Sequence, residues 1–260
     1  IGCDVAGVVE SVGKNVTKFQ KGDAVFGDLS GEKWGGFAEY VCGSEKAFIK
    51  KPESISFEQA ASLPQAGVMA LQGVLDYGKA KPGQSVLING AAGGVGSFAI
   101  QLAKLYGAEV TGVDHTQKLA MMKSLGADHV IDYTEEDCTR SEKQYDLILD
   151  VIGYHSMFEY RKILKPTGNY RMIGGPLGLI LQSSFIGPVV YMFSKKKSGV
   201  LAHQPNKGLD TLAELVETGK IKPVIDRVFP FEETKEALDY FGSGVVKGKV
   251  VIINPPNSSI

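Results

Sequence analysis

Asn89 to Gly96 read NGAAGGVG, behind the apolar run SVLI (Ser85 to Ile88) and ahead of SFAIQLAKLYGA (Ser97 to Ala108). A short apolar strand that passes through a glycine-rich turn into an amphipathic helix is the layout of a dinucleotide fingerprint. Set against G-x-G-x-x-G, the stretch aligns as Ala91-Ala92-Gly93-Gly94-Val95-Gly96, with alanine in the first glycine position. Gly93 would let the backbone approach a pyrophosphate, and Gly96 would let the helix pack closely on the strand. The pyrophosphate would rest on the helix N-terminus, against Ala92, Gly93, Gly94, Val95 and Gly96, where unpaired N–H groups and the helix dipole favour an anion. A plain strand-to-helix turn is the competing reading. The context favours a cofactor: a second strand ends in Val113-Asp114 about 20 residues on, where an acid that binds a ribose hydroxyl is expected.

Working outward, strands EVTGVD, HVIDY, YDLILDVIG and NYRMIGG alternate with helices TQKLAMMKSLG and HSMFEYRKIL. That alternation predicts an α/β domain with a parallel sheet covered on both faces. The first fifty residues differ. They offer strand-like pieces VAGVVESV, DAVFG, FAEYV and AFIKK between turn signals such as Gly22-Asp23 and Gly35-Gly36, and so predict a small curled β region. Ser56-Phe57-Glu58-Gln59 reads as a capping box that opens the first helix. After Pro205, helix GLDTLAELVETGK, strand KPVIDRVFPF, helix ETKEALDYF and strand KGKVVIIN follow, and the two strands are expected to pair with those of the first fifty residues. The expected domains are therefore 1–61 with 205–260, and 62–204.

The chain has 260 residues, enough for two cores, and a formal charge of −1, which gives no electrostatic excess to recruit nucleic acid. Lys195-Lys196-Lys197 reads as a solvated loop. Cys3, Cys42 and Cys138 show no paired spacing, so a reduced, cytoplasmic setting fits. The start IGCDVAGVV has neither a signal-peptide pattern nor a Met and is expected to lie inside a domain. Met172 to Phe193 is uncharged and long enough to span a bilayer, but Pro176, Pro188, four glycines and central Gln182, Ser183 and Ser184 predict strand, turn and an apolar cleft-lining segment instead.

NGAAGGVGSFAIQLAKLYGAEV, LGADHVIDY, YDLILDVIG and the opening GCDVAGVVESVGKNVTKFQKGDAVFG together resemble the zinc-independent quinone oxidoreductase branch of the medium-chain dehydrogenase/reductase superfamily. The resemblance runs over essentially the whole chain. It implies a GroES-like β domain whose chain returns at the C-terminus, a Rossmann domain, a homodimer, and reduction of quinones or conjugated carbonyls by NADPH. It also implies a further N-terminal segment, absent here, and a Thr near the cofactor where this chain has Met69 in GVMALQ.

Zinc-dependent relatives carry Gly-His-Glu where this chain has Gly2-Cys3-Asp4, and a Cys near Gln65, so the resemblance implies no metal. The residues agree: Cys3 plus Asp4 fall short of three ligands, and His115, His129, His155 and His203 are scattered. Without a metal, hydride would pass from cofactor to acceptor directly, and no catalytic side chain is assigned. The nicotinamide would lie beside Val151-Ile152-Gly153 and Ile173-Gly174-Gly175, with Trp34 and Tyr40 as candidate cleft walls. A nucleotide-binding redox sensor or membrane-associated protein without turnover is the alternative. As to the nucleotide, Asp114 alone would select NAD. Lys118 and Tyr133 match the positions at which NADPH-using members of the family surround the 2′-phosphate. A solvent-screened Asp114 could rotate away, so NADP(H) is expected over NAD(H).

Overall fold

The computed structural model describes residues 1–192 and 194–254. Phe193, the last residue of the long apolar run, lies outside them. The chain divides into two compact units, Met69–His203 and the discontinuous pair Ile1–Val68 with Gln204–Ile260.

In the Met69–His203 unit, six strands form one sheet in the order β6-β5-β4-β7-β8-β9, and every neighbouring pair is parallel. They are β4 (Ser85–Asn89), β5 (Glu109–Asp114), β6 (His129–Asp132), β7 (Tyr145–Asp150), β8 (Leu164–Met172) and β9 (Lys197–Val200). All five residues of β4 are buried, as a central strand covered on both sides requires. Helices α3 (Gly94–Leu105), α4 (Leu119–Ser124) and α5 (Met157–Lys162) connect successive strands and pack on β4 and β5, on β6 and on β8. The core gathers Leu87, Val113, Ile148, Tyr160, Tyr170 and Met172. This is the doubly wound parallel sheet that the alternating pattern predicts.

The apolar run that starts at Met172, the end of β8, opens as strand and turn, as expected, but then becomes helical. α6 (Leu177–Leu181), a wide π turn (Gln182–Ile186) and α7 (Gly187–Met192) follow one another without a break. Among the described residues no helix is long and apolar enough to cross a membrane.

In the other unit, β1 (Asp4–Val8), β2 (Ala24–Asp28) and β3 (Ile49–Lys50) form an antiparallel sheet. Phe37–Val41 is not the strand its composition suggests. Trp34 and Gly35 take positive φ, the Gly36 and Phe37 N–H groups donate to the Gly2 and Ile1 carbonyls, and from there the segment makes no ladder with another strand among the described residues. A second correction concerns the C-terminal strands. β10 (Ile225–Pro230) and β11 (Lys249–Ile253) pair with each other, in parallel, and not with β1 to β3. They flank α9 (Thr234–Gly242), so the three form a βαβ unit whose strands satisfy each other. They meet the N-terminal part through α1 (Phe57–Ser62), which packs on β1, β10 and β11, and through Lys249, whose Nζ lies 2.8 Å from Asp4 Oδ2. The Ser56 capping box on α1 is formed, with reciprocal bonds between Ser56 and Gln59.

Candidate functional site

The glycine turn sits at the C-terminal end of β4, where open parallel sheets bind ligands. Gly90 and Ala91 both donate N–H to the Val113 carbonyl at the end of β5 (3.0 and 3.1 Å), which folds the chain back across the sheet. Gly93 caps α3 without a side-chain bond, so the first-turn N–H groups of Gly94, Val95 and Gly96 have no side-chain cap. Gly96 has a packing role, because a Cβ there would come within 2.2 Å of the Gly90 carbonyl oxygen. At Gly93 a Cβ would meet only that oxygen, at 3.5 Å. The turn therefore presents open backbone donors above a close-packed floor, which suits an anionic pyrophosphate.

Asp114 is not the free, solvent-screened acid of the sequence reading. It is buried: Oδ2 accepts the Ala92 N–H (2.9 Å), Oδ1 accepts the His115 N–H (2.9 Å), and Lys118 Nζ lies 3.5 Å from Oδ1. The carboxylate fastens the glycine turn to the end of β5 and carries its own counter-ion. Lys118 is buried with it, which a solvated lysine would not be. Tyr133 comes to the same corner: its N–H donates to the Asp114 carbonyl (3.3 Å), its ring edge meets His115 at 6.0 Å, and it is 52% exposed. Asp114, Lys118 and Tyr133 thus converge from three segments.

Val151, Gly153, Ile173 and Gly174 converge on the other side of β4, at the ends of β7 and β8. Gly153 has φ +67°, and a Cβ on it would lie 2.7 Å from the Gly175 Cα. The two strand-end turns touch backbone to backbone, so these glycines are needed for that contact whatever lies above them. Beneath them is a polar cluster that sequence reading missed. Asp150 is fully buried, with Oδ1 accepting from Asn89 Nδ2 (2.8 Å) and the Gly153 N–H (3.0 Å), and Oδ2 accepting from the Tyr170 hydroxyl (2.9 Å). Burial raises its carboxyl above the usual range, while the Asn89, Gly153 and Tyr170 bonds act the other way. The available signal was a polar residue at the end of two apolar runs, Val86-Leu87-Ile88 before Asn89 and Leu147-Ile148-Leu149 before Asp150, which pair at Asn89 and Asp150. Of the other expected residues, Met69 is half-buried in α2 (Pro64–Leu71), and Trp34 and Tyr40 are exposed.

Two clusters bring together groups that look scattered along the sequence. Asp28 joins Cys3 and Asp4, and His155 joins Asp137 and Cys138. In the first, the Cys3 thiol is pushed up to about 12 by burial and by the Asp4 and Asp28 charges. Asp4 Oδ1 accepts the Gln65 N–H (2.8 Å), and the Lys249 ammonium already sits on Oδ2. This set is compensated by a lysine and does not fit a zinc ion. In the second, His155 Nε2 is 3.5 Å from Asp137 Oδ1, and the Cys138 thiol is also pushed up to about 12, chiefly by burial.

Residues 1–53 match the alcohol dehydrogenase GroES-like domain and residues 125–252 match the zinc-binding dehydrogenase domain. The structure of the quinone oxidoreductase from Coxiella burnetii superposes with a TM-score of 0.88 at 34% identity, over 97% of this chain and 78% of that one. The chain belongs to the zinc-independent quinone oxidoreductase branch of the medium-chain dehydrogenase/reductase superfamily. Among its relatives in that family, 2-methylene-furan-3-one reductase of Solanum lycopersicum is 38% identical over 96% of this chain. The NADPH-dependent alkenal/one oxidoreductase of Arabidopsis thaliana chloroplasts is 36% identical over 98% of it. The chain spans 62% and 64% of the length of those two relatives. The Met69–His203 unit is thus the family's Rossmann-like sheet, and β1 to β3 belong to its GroES-like part.

Proposed function

We propose that the chain is an NAD(P)H-dependent oxidoreductase that reduces quinones or conjugated carbonyls without a metal, works as a homodimer and resides in a reducing compartment such as the cytosol. The observation that carries the reading is the glycine turn: uncapped donors at the N-terminus of α3, fastened from below by Asp114. The names of its relatives, reductases of enones, alkenals and quinones, supply the acceptor class.

When bound, the nicotinamide nucleotide supplies the hydride. The chain's own residues hold and orient it. Ala92, Gly93, Gly94, Val95 and Gly96 would receive the pyrophosphate. Val151, Gly153, Ile173 and Gly174 would border the nicotinamide, and the Asp150 cluster keeps the Gly153 turn in one position. NADPH is the preferred nucleotide. Lys118 offsets the Asp114 charge that would repel a 2′-phosphate, both Asp114 oxygens are engaged by backbone donors, and Tyr133 stands exposed beside them.

The test is the initial rate of NADPH and NADH oxidation with 1,2- and 1,4-quinones and short enones. Turnover with NADPH ahead of NADH supports the proposal, and Lys118→Ala should shrink that preference. Cofactor binding without turnover of any acceptor would refute the enzymatic reading. A wild type that prefers NADH, with both affinities unmoved in Lys118→Ala, would refute the nucleotide assignment.

A further inference from the structure

Two segments of the Met69–His203 unit, well separated in sequence, bring metal-donor groups to one place. The first is Glu135-Glu136-Asp137-Cys138, which leads into the single turn Cys138–Arg140. The second is the start of α5, with His155 just ahead of the Ser156 cap and Glu159 in the first turn. One oxygen of Asp137, the Cys138 Sγ and one ring nitrogen of His155 all lie within 4.8 Å of one another. Cys138 is buried, while the Asp137 and His155 side chains are 32% and 17% exposed, so the cluster opens to solvent on one side.

The spacing is that of ligands and not of hydrogen bonds. His155 Nε2 stands 3.5 Å from Asp137 Oδ1, beyond the usual N–H···O range. Two N or O ligands on a tetrahedral ion, with bonds of about 2.0 Å, stand roughly 3.3 Å apart. The other ring nitrogen faces a second carboxylate, with Glu159 Oε1 3.8 Å from Nδ1. A carboxylate behind an imidazole orients a ligating histidine and leaves the far nitrogen free to bind. Asp137 is fixed in its turn, because Oδ1 accepts the Thr139 N–H (2.9 Å) and hydroxyl (2.7 Å). The Tyr154 and Tyr160 rings meet the imidazole edge-on at 4.9 and 5.7 Å and restrict its rotation.

The local charge favours a cation. Burial and the charges of Asp137, Asp150 and Glu136 hold the Cys138 thiol protonated, which makes it inert as a nucleophile. Those carboxylates attract a dication, and a bound dication takes the thiol as thiolate with release of its proton. Arg140 competes only weakly: its Nε lies 3.3 Å from Asp137 Oδ2, the oxygen that does not meet His155, and its side chain is 86% exposed.

We propose that Asp137, Cys138 and His155 bind one divalent ion of the zinc class, with Glu159 positioning His155 and a water completing four-fold coordination. Thiolate and imidazole select zinc or cobalt over calcium and magnesium, which take oxygen donors. The ion ties the 137–138 segment to the start of α5. None of its donors is among the residues proposed to border the cofactor, so it acts on stability and not on hydride transfer.

The experiment is titration of the full chain with cobalt and with zinc, in a Cys42→Ser background that removes the exposed thiol. Cobalt should give, at one ion per chain, the near-ultraviolet thiolate charge-transfer band and the strong visible bands of a four-coordinate ion. Zinc should displace it and raise the unfolding temperature. Cys138→Ser should abolish the charge-transfer band. His155→Gln should weaken zinc binding at least tenfold with an unchanged circular dichroism spectrum, and it decides alone if Cys138→Ser fails to fold. Glu159→Gln keeps a capping-box residue behind Ser156 and should weaken zinc about tenfold. Absence of the charge-transfer band, or zinc affinity indifferent to His155→Gln, overturns the proposal. So does a band that survives Cys138→Ser and is lost in Cys3→Ser, which would place the ion at the Cys3, Asp4 and Asp28 cluster.

Discussion

Asp114 and Asp150 end the two strands that flank β4, and both are buried, yet they are held in different ways. Asp114 takes two backbone N–H groups and the Lys118 ammonium. Asp150 takes an amide, a hydroxyl and one backbone N–H, and among the described residues no lysine or arginine pairs with it. The first site keeps a compensated charge at the corner where a nucleotide's ribose would lie. The second ties three segments together with neutral donors, and burial raises its carboxyl. The same residue type at equivalent strand ends thus does two jobs, and the difference lies in whether a cation came with it.

The contrast can be broken most severely at Asp150. Asp150→Ala leaves Asn89 Nδ2, the Tyr170 hydroxyl and the Gly153 N–H without an acceptor, and should cost about 4 kcal/mol in urea unfolding. A loss below about 1 kcal/mol would mean the cluster is not the tie described here. Asp150→Asn keeps the shape and sharpens the electrostatic half of the contrast. The folded protein holds the Asp150 proton to higher pH than the unfolded chain, where a carboxyl titrates near about 3.9. Its stabilising contribution is therefore complete below that pH and is lost as pH rises through the folded-state value. Asp150→Asn, about 2 kcal/mol less stable than wild type in acid, should close part of that gap toward neutral pH. A gap that widens with pH would contradict the assignment.

On the Asp114 side the expected effects fall on the cofactor. Gly94→Glu puts a side chain and a negative charge on the open helix N-terminus. NADPH affinity should drop at least tenfold, about 1.4 kcal/mol, with the fold retained, as read by fluorescence titration. Unchanged affinity would reduce the turn to a structural one. The smallest effect is expected at the start of the same strand. Glu109 is brought down to about 2, first by Lys143 and then by His129, but its side chain is 44% exposed. Solvent screens such a pair, and Lys143→Ala should cost only about 0.5 kcal/mol, lost as pH falls through the acid range.

Much of the Met69–His203 unit was legible because its signals are local. An apolar run of strand length, a glycine turn and a helical apolar face each occupy a few consecutive residues, and β4, α3 and β5 form within SVLING, GVGSFAIQLAKLYG and EVTGVD, the first two ending one and two residues early. The misses are non-local. FAEYV has strand composition, but composition does not supply a neighbouring edge. KPVIDRVFPF and KGKVVIIN read correctly as strands, but pairing partners are chosen by the crossover between them, not by the strand residues.

For the proposed site, the sequence by itself determined which groups are present: a run of glycines whose backbone can be approached, and an acid, a lysine and a tyrosine at set spacings from it. Chain order is enough for that, because the βα unit brings its own turn and strand end together. Only the tertiary structure decided what those groups are free to do. Asp114 is spent on the Ala92 and His115 N–H groups and on Lys118, and Gly153 is required by Gly175. Asp150 is buried against Asn89 and Tyr170, 61 and 20 residues away along the chain. Spacing along the chain records which groups are present, whereas burial and hydrogen bonding are set by residues distant in sequence, and these decide whether a carboxylate stays charged, open and available.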